Sequence, residues 1–102
     1  MSVKIERNER EIIARLSGEI DHHSALWLRM DLDTAVFEDK PKTLKLDFEK
    51  VSFMDSSGIG LVMGRYKLVK EWDGSVELIN LPENIERVMT LAGMNRLCKI
   101  RK

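Results

Sequence analysis

Val51-Ser52-Phe53-Met54-Asp55-Ser56-Ser57-Gly58-Ile59-Gly60 is the stretch on which the fold turns. Just before it, Leu44, Leu46 and Phe48 alternate with Lys45 and Asp47, the two-residue period of a strand running toward Val51. Just after it, Ile59, Val62, Met63, Tyr66 and Val69 return at helical spacing and are expected to form one buried face. The stretch is therefore a strand-to-helix junction. It places an aspartate and two serines where the first backbone N–H groups of a helix have no intrahelical acceptor and the helix dipole is positive. Gly58 and Gly60 keep the first turns low, so that another molecule's backbone can approach.

The same periodicities organise the rest of the chain. Val3, Ile5 and Arg7 alternate as a strand, Asn8-Glu9 is a turn, and residues 11–16 form a second strand, closing a hairpin that Gly18 is expected to end. From His23 the period changes: Ala25, Leu28, Leu32, Ala35 and Val36 form a helical stripe, with Asp21 or His22 near its start as cap and dipole partner. Pro41 lies beyond its end. Asp73-Gly74 is a turn before a strand at 76–81, and Pro82 suits the first turn of a helix carrying Ile85, Val88, Met89 and Ala92 as its apolar stripe. Gly93 reads as its C-terminal cap and residues 97–100 as a final short strand.

The order is ββαβαβα with room for a last β. Strand–helix–strand alternation implies parallel neighbours and right-handed crossovers, while the opening hairpin adds an antiparallel member. The expected fold class is α/β: a two-layer arrangement of a mixed sheet of four to five strands, with three or more helices mainly on one face. With 102 residues the chain is expected to form a single domain, and little remains to cover the other sheet face, so two layers are expected and not three.

Composition narrows the function. Hydrophobic residues make up 43% and charged residues 33%, the balance of a globular chain. Seventeen basic residues offset seventeen acidic ones, so there is no electrostatic case for nucleic acid or an anionic membrane as partner. The lone Cys98 excludes an internal disulfide and a cysteine-rich zinc motif. The charged first ten residues do not resemble a signal peptide, and no apolar run approaches the roughly 20 residues of a membrane helix. A cytoplasmic location is expected.

The junction fits none of three catalytic or nucleotide-binding patterns. Gly58, Gly60 and Gly64 do not have dinucleotide-fingerprint spacing, no Gly-Lys-Ser/Thr of a P-loop is present, and Met54 stands where a nucleophile elbow needs glycine. Two readings remain open on spacing alone. Asp-Ser-Ser before a helical stripe is ordinary capping. A serine at an exposed helix start is also a place where phosphorylation adds about −1.5 to −2 charges without opposing the helix, while obstructing or repelling a partner.

Ser52-Phe53-Met54-Asp55-Ser56-Ser57-Gly58-Ile59-Gly60 followed by Gly64-Arg65-Tyr66-Lys67 resembles the phosphorylation segment of anti-sigma factor antagonists. So does the earlier Leu16-Ser17-Gly18-Glu19-Ile20-Asp21-His22-His23-Ser24-Ala25. These are STAS domains, and the resemblance is nearest to the sporulation-type antagonists that control the first forespore sigma factor. It covers essentially the whole chain, implying a single STAS domain over residues 1–102. It implies that Ser56, directly after the aspartate, is phosphorylated by an anti-sigma factor that is also a serine kinase. The unphosphorylated form would bind that kinase and release the sigma factor, and a PP2C-type phosphatase would restore the serine. Ser57 is the structural neighbour. The implied partner surface comprises Asp21, His22, His23, Ser24, Asp55, Ser57, Gly58, Ile59 and Gly60, with Asp21 foremost. Some relatives carry a final helix that is expected to be absent or abbreviated here.

Other residues received competing readings. Asp21-His22-His23 invites a metal, but adjacent helical side chains diverge by about 100° and no third histidine exists, so no metal and no cofactor is expected. Arg65 and Lys67 read as a solvated face or as contacts to an acidic kinase surface. Trp27 and Met30 fall off the first helix's stripe and are candidate interface anchors. With no base paired to Ser56, the chain reads as a binding module and not an enzyme. The alternatives are a STAS scaffold of a stress-signalling or transport assembly, or a small-nucleotide-binding module using the helix start.

Overall fold

The computed structural model describes residues 2–101. Nine elements follow one another: β1 (Ser2–Arg7), β2 (Glu11–Ile20), α1 (His22–Asp39), β3 (Thr43–Met54), α2 (Ser56–Lys70), β4 (Ser75–Ile79), α3 (Glu83–Leu91), α4 (Met94–Leu97) and β5 (Lys99–Arg101). The five strands lie in sequence order, β1-β2-β3-β4-β5. β1 pairs antiparallel with β2, and every later pair is parallel. A sheet that grows in one direction through right-handed crossovers must place every crossover helix on the same side. This gives the expected two-layer α/β arrangement.

Alternation along the strands shows the two faces. Ile12, Ala14 and Leu16 of β2, Leu44, Leu46 and Phe48 of β3, and Val76 and Leu78 of β4 are buried beneath the helices. The opposite face carries charge. Lys45 Nζ lies 3.3 Å from Glu11, Arg15 Nε 2.8 Å from Glu6, and Arg101 Nε 2.9 Å from Glu77. Parallel strands are usually covered on both sides; here cross-strand ion pairs line the uncovered one. Asp47 is buried within that face, yet its carboxylate accepts from Arg15 Nη1 at 2.6 Å, Asn80 Nδ2 at 3.2 Å and the Glu49 N–H at 2.9 Å. It is a satisfied polar centre, which its place in an alternating pattern did not single out.

Several sequence expectations need correction. Gly18 does not end β2. Its φ of 92° is absorbed between two register shifts against β3, and the strand continues to Ile20. Only glycine enters that backbone region freely, so a strand-interior glycine here marks an irregularity and not a stop. The buried face of α2 is rotated from the expected stripe. Val62 and Val69 are buried, but so are Gly58, Leu61 and Arg65, while Ile59, Met63 and Tyr66 are half-buried at the edge of the core. The cause is that α2 packs on α1 as well as on the sheet. On α3, Ile85 and Met89 are buried, whereas Val88 and Ala92 face outward. Pro82 precedes α3 as its cap residue, and β4 stops at Ile79 because Asn80, at φ 55°, turns the chain. Gly93 adopts the left-handed conformation expected after a helix, but a second short helix follows, so Leu97 is helical and the last strand begins at Lys99. Cys98 is buried, and burial pushes its thiol up to about 11.

The glycine at position 18 is open to test. Gly18→Ala is expected to lower unfolding free energy by about 1–3 kcal/mol, the usual cost of holding a side chain in that region. Urea denaturation would show this as a lower midpoint at an unchanged slope.

Candidate functional site at two helix starts

β2 and β3 are parallel neighbours that end side by side: Ile20 pairs with Met54, and the Asp55 N–H donates to the Ile20 carbonyl at 3.1 Å. One residue beyond each strand end stands an aspartate in extended conformation that caps a helix, Asp21 for α1 and Asp55 for α2. The register of two strands thus sets two helix N-termini next to each other at the carboxyl edge of the sheet, where open α/β sheets commonly place ligands and partners.

Asp21 Oδ1 accepts from the N–H groups of His23 at 3.0 Å and Ser24 at 2.9 Å. Ser24 Oγ reciprocates, accepting from the Asp21 N–H at 2.8 Å and donating to the Glu19 carbonyl at 2.8 Å. The Ser24 N–H, helped by the His23 N–H, holds the Asp21 carboxyl below the ordinary carboxylate range against the opposing desolvation. The second start is simpler. Asp55 Oδ1 accepts from the Ser57 N–H at 2.8 Å, and the Asp55 carbonyl accepts from the Gly58 N–H at 3.0 Å.

Ser56 is the first helical residue of α2 and is exposed, with no hydrogen bond from its hydroxyl among the described residues. The cap is Asp55, so the Ser56 hydroxyl is not occupied in holding the helix. The structure brings Asp21, His22, His23, Asp55, Ser57, Ile59 and Gly60 to this edge, half-buried or exposed. It does not bring Ser24 or Gly58 to the surface. Ser24 is 7% exposed with its hydroxyl committed to the first cap, and Gly58 is buried under Met54, whose side chain fills the space a Cβ would need. Gly60 is the reverse case: a Cβ there would meet nothing. Its absence has no internal packing reason, and glycine inside a helix costs about 0.5–1 kcal/mol relative to alanine.

The His22 and His23 rings meet edge to face, 5.8 Å between centroids, and no group of three metal-ligating side chains gathers among the described residues. No helix among them is long and apolar enough to cross a membrane. Trp27 and Met30 are exposed, at 59% and 53%, as their place off the stripe implied. Leu26 and Phe37, not singled out from the sequence, share that outward side of α1. Their signal was present, since 26, 30 and 37 fall on one helical face, but it lay opposite the stripe that marks the core. Arg65 is 6% exposed and not part of a solvated face. Its Nε stands 2.9 Å from Asp33 Oδ1 of α1, and it lies between the helices.

The STAS domain family model matches residues 2–102. The anti-sigma F factor antagonist of Paenibacillus polymyxa is 31% identical, over 98% of this chain and 86% of that relative. The anti-sigma-B factor antagonist of Bacillus subtilis strain 168 is 34% identical, over 98% of this chain and 90% of that relative. Among solved structures, the anti-sigma factor antagonist SpoIIAA in its unphosphorylated form superposes with a TM-score of 0.86 at 31% identity, over 99% of this chain and 89% of that one. The phosphorylated form of the Bacillus cell fate determinant SpoIIAA superposes with a TM-score of 0.77 at 31% identity, over 99% of this chain and 92% of that one. With a family match across the described chain, and with relatives of this identity aligned over nearly their whole length, the chain belongs to the STAS-domain family of anti-sigma factor antagonists.

Proposed function

We propose that this chain is an anti-sigma factor antagonist of the sporulation type, switched by phosphorylation of Ser56. Unphosphorylated, it binds an anti-sigma factor that is a serine kinase and releases the sigma factor; phosphorylated, it lets go. A PP2C-type phosphatase returns it to the binding form. It acts in the cytoplasm as a binding module and catalyses nothing itself. The observation that carries this reading is the exposed, uncommitted hydroxyl of Ser56 at the first position of α2, beside the capped start of α1.

The chemistry of the switch follows from where that hydroxyl sits. A phosphate there meets the positive end of α2, a local gain of roughly 0.3–1 kcal/mol at an exposed site, so the helix has no reason to melt. The partner faces the opposite balance. To contact Gly60 and the Asp21 turn it must cover Ser56, and burying an unpaired phosphate against a protein surface costs several kcal/mol. Each 1.4 kcal/mol is about a tenfold loss of affinity, so the modification is expected to weaken binding by two or more powers of ten. Asp21, His22, His23, Asp55, Ser57, Ile59 and Gly60 form the covered surface in this reading, while Ser24 and Gly58 shape it from beneath.

Incubation with the cognate anti-sigma kinase and ATP, followed by peptide mass spectrometry, is expected to place a single phosphate on Ser56. Label on Ser57 or Ser24 while Ser56 is intact would sink the assignment. Because Asp55 is the cap, Ser56→Ala is expected to change stability by no more than about 0.5 kcal/mol, the usual range for a surface substitution. That variant should bind the kinase and stay bound in the presence of ATP. Asp55→Ala, which removes the cap, is expected to cost about 0.5–2 kcal/mol in urea denaturation. Gly60→Ala separates fold from function: it should stabilise the domain by about 0.5–1 kcal/mol and weaken kinase binding measured by calorimetry. Unchanged binding would mean that no backbone approaches α2 there.

A further inference from the structure

A groove of about 530 Å³ runs between α1 and α2 from Ser57. Its charged lining is one-sided. Arg29 from α1 and Arg65 and Lys67 from α2 border it together with His22, and no carboxylate lines this half. Asp33 and Glu71 enter only in the adjoining half, past Gly64. The chain as a whole is electrically balanced, so this concentration of cations beside the switch serine is local.

Arg65 is 6% exposed, and the one carboxylate it reaches among the described residues is only partly its own. Asp33 also pairs with Arg29, Oδ2 lying 3.7 Å from Arg29 Nε, while Oδ1 lies 2.9 Å from Arg65 Nε without hydrogen-bond alignment. Arg65 Nη1 is buried with no acceptor. A buried guanidinium that leaves donors unmet is costly unless something supplies acceptors. Desolvation lowers its pKa, and the neighbouring positive charge of Arg29 pushes the same way against the opposing pull of Asp33. Leu26 lines the groove and is 56% exposed, and across from it Gly60 and Gly64 leave α2 flat, with open space where each Cβ would stand.

We propose that this groove receives an acidic segment of the kinase partner, its carboxylates directed at Arg29 and Lys67 above the buried positive charge of Arg65, and its apolar residues lying on Leu26 and the glycine face of α2. The inference rests on the proposed function. It adds the site and chemistry of docking, and it explains why charge at Ser56 is effective: the phosphate arrives at the mouth of a groove that accepts acid.

The test uses the full chain and the cognate anti-sigma kinase, with affinity read by calorimetry at low and high salt. Arg29→Glu and Lys67→Glu change exposed side chains, and circular dichroism checks that both fold. Each is expected to weaken binding at least tenfold at low salt, and the loss should shrink at high salt as the charges are screened. Lys70→Glu makes the same charge change on the same helix outside the groove and is expected to bind within about twofold of the unaltered chain. Equal binding by all three variants, or an equal loss in Lys70→Glu, would overturn the groove while leaving the proposed function standing. Failure of the unaltered chain to bind the kinase at all would overturn both.

Discussion

The register that pairs Ile20 with Met54 is the constraint from which the site follows. It is sealed by the Asp55 N–H donating to the Ile20 carbonyl at 3.1 Å. Two parallel strands end level, so the two aspartates that follow them stand level too, and each starts a helix. The energies involved are modest, about 1 kcal/mol for a cap or a backbone hydrogen bond. What they achieve is position. Each helix start is held by its own aspartate, and the hydroxyl of Ser56 is left out of the hydrogen bonding that fixes the fold. A modification can then arrive at that hydroxyl without drawing on the interactions that keep the domain folded. The irregular passage of β2 through Gly18 belongs to the same arrangement, because the register shifts around it bring Ile20 opposite Met54.

Charge is distributed in a way that suits this use. The uncovered sheet face is laced with cross-strand pairs and centres on a buried aspartate with three donors. Most of its acidic and arginine side chains are paired with one another. The cleft between α1 and α2 is answered only in part, with two arginines sharing Asp33. Glycines at 60 and 64 flatten one wall of that cleft where the helix alone would favour larger residues, and Leu26 leaves apolar surface on the other. The cleft therefore combines low relief, exposed apolar surface and partly answered positive charge, and it opens from Ser57, the residue after the free hydroxyl of Ser56.

Much of this was legible in the residues, and the failures have physical causes. Strand and helix periods located every long element, because one-sided burial imposes those periods on the sequence. Asp55 and Asp21 were recognisable as helix starts, and the paired motifs around them carried the family. The period of α2 alone does not fix its buried face, because the helix packs against two neighbours, α1 and the sheet. Arg65 was read as surface because arginine usually is; its burial depends on Asp33 from a helix distant in sequence. A glycine in a strand pattern marks either an end or a bulge, and only the pairing with β3 shows that the strand runs on through Gly18. Residues 94–97 form a four-residue helix, too short to show any period. The outward apolar side of α1 is masked in the sequence because the same helix also carries the core stripe, so the two patterns overlap.

The central claim is that phosphorylation acts through charge and bulk at one helix start and leaves the fold alone. Amide chemical shifts of the nitrogen-15-labelled protein, recorded before and after stoichiometric phosphorylation by the kinase, test it most directly. The account predicts changes clustered in residues 53–62 and 20–26, with the remainder of the sheet and α3 unmoved. Shifts spread across β4, β5 and α3 would contradict it and would mean that the domain changes conformation when it is switched.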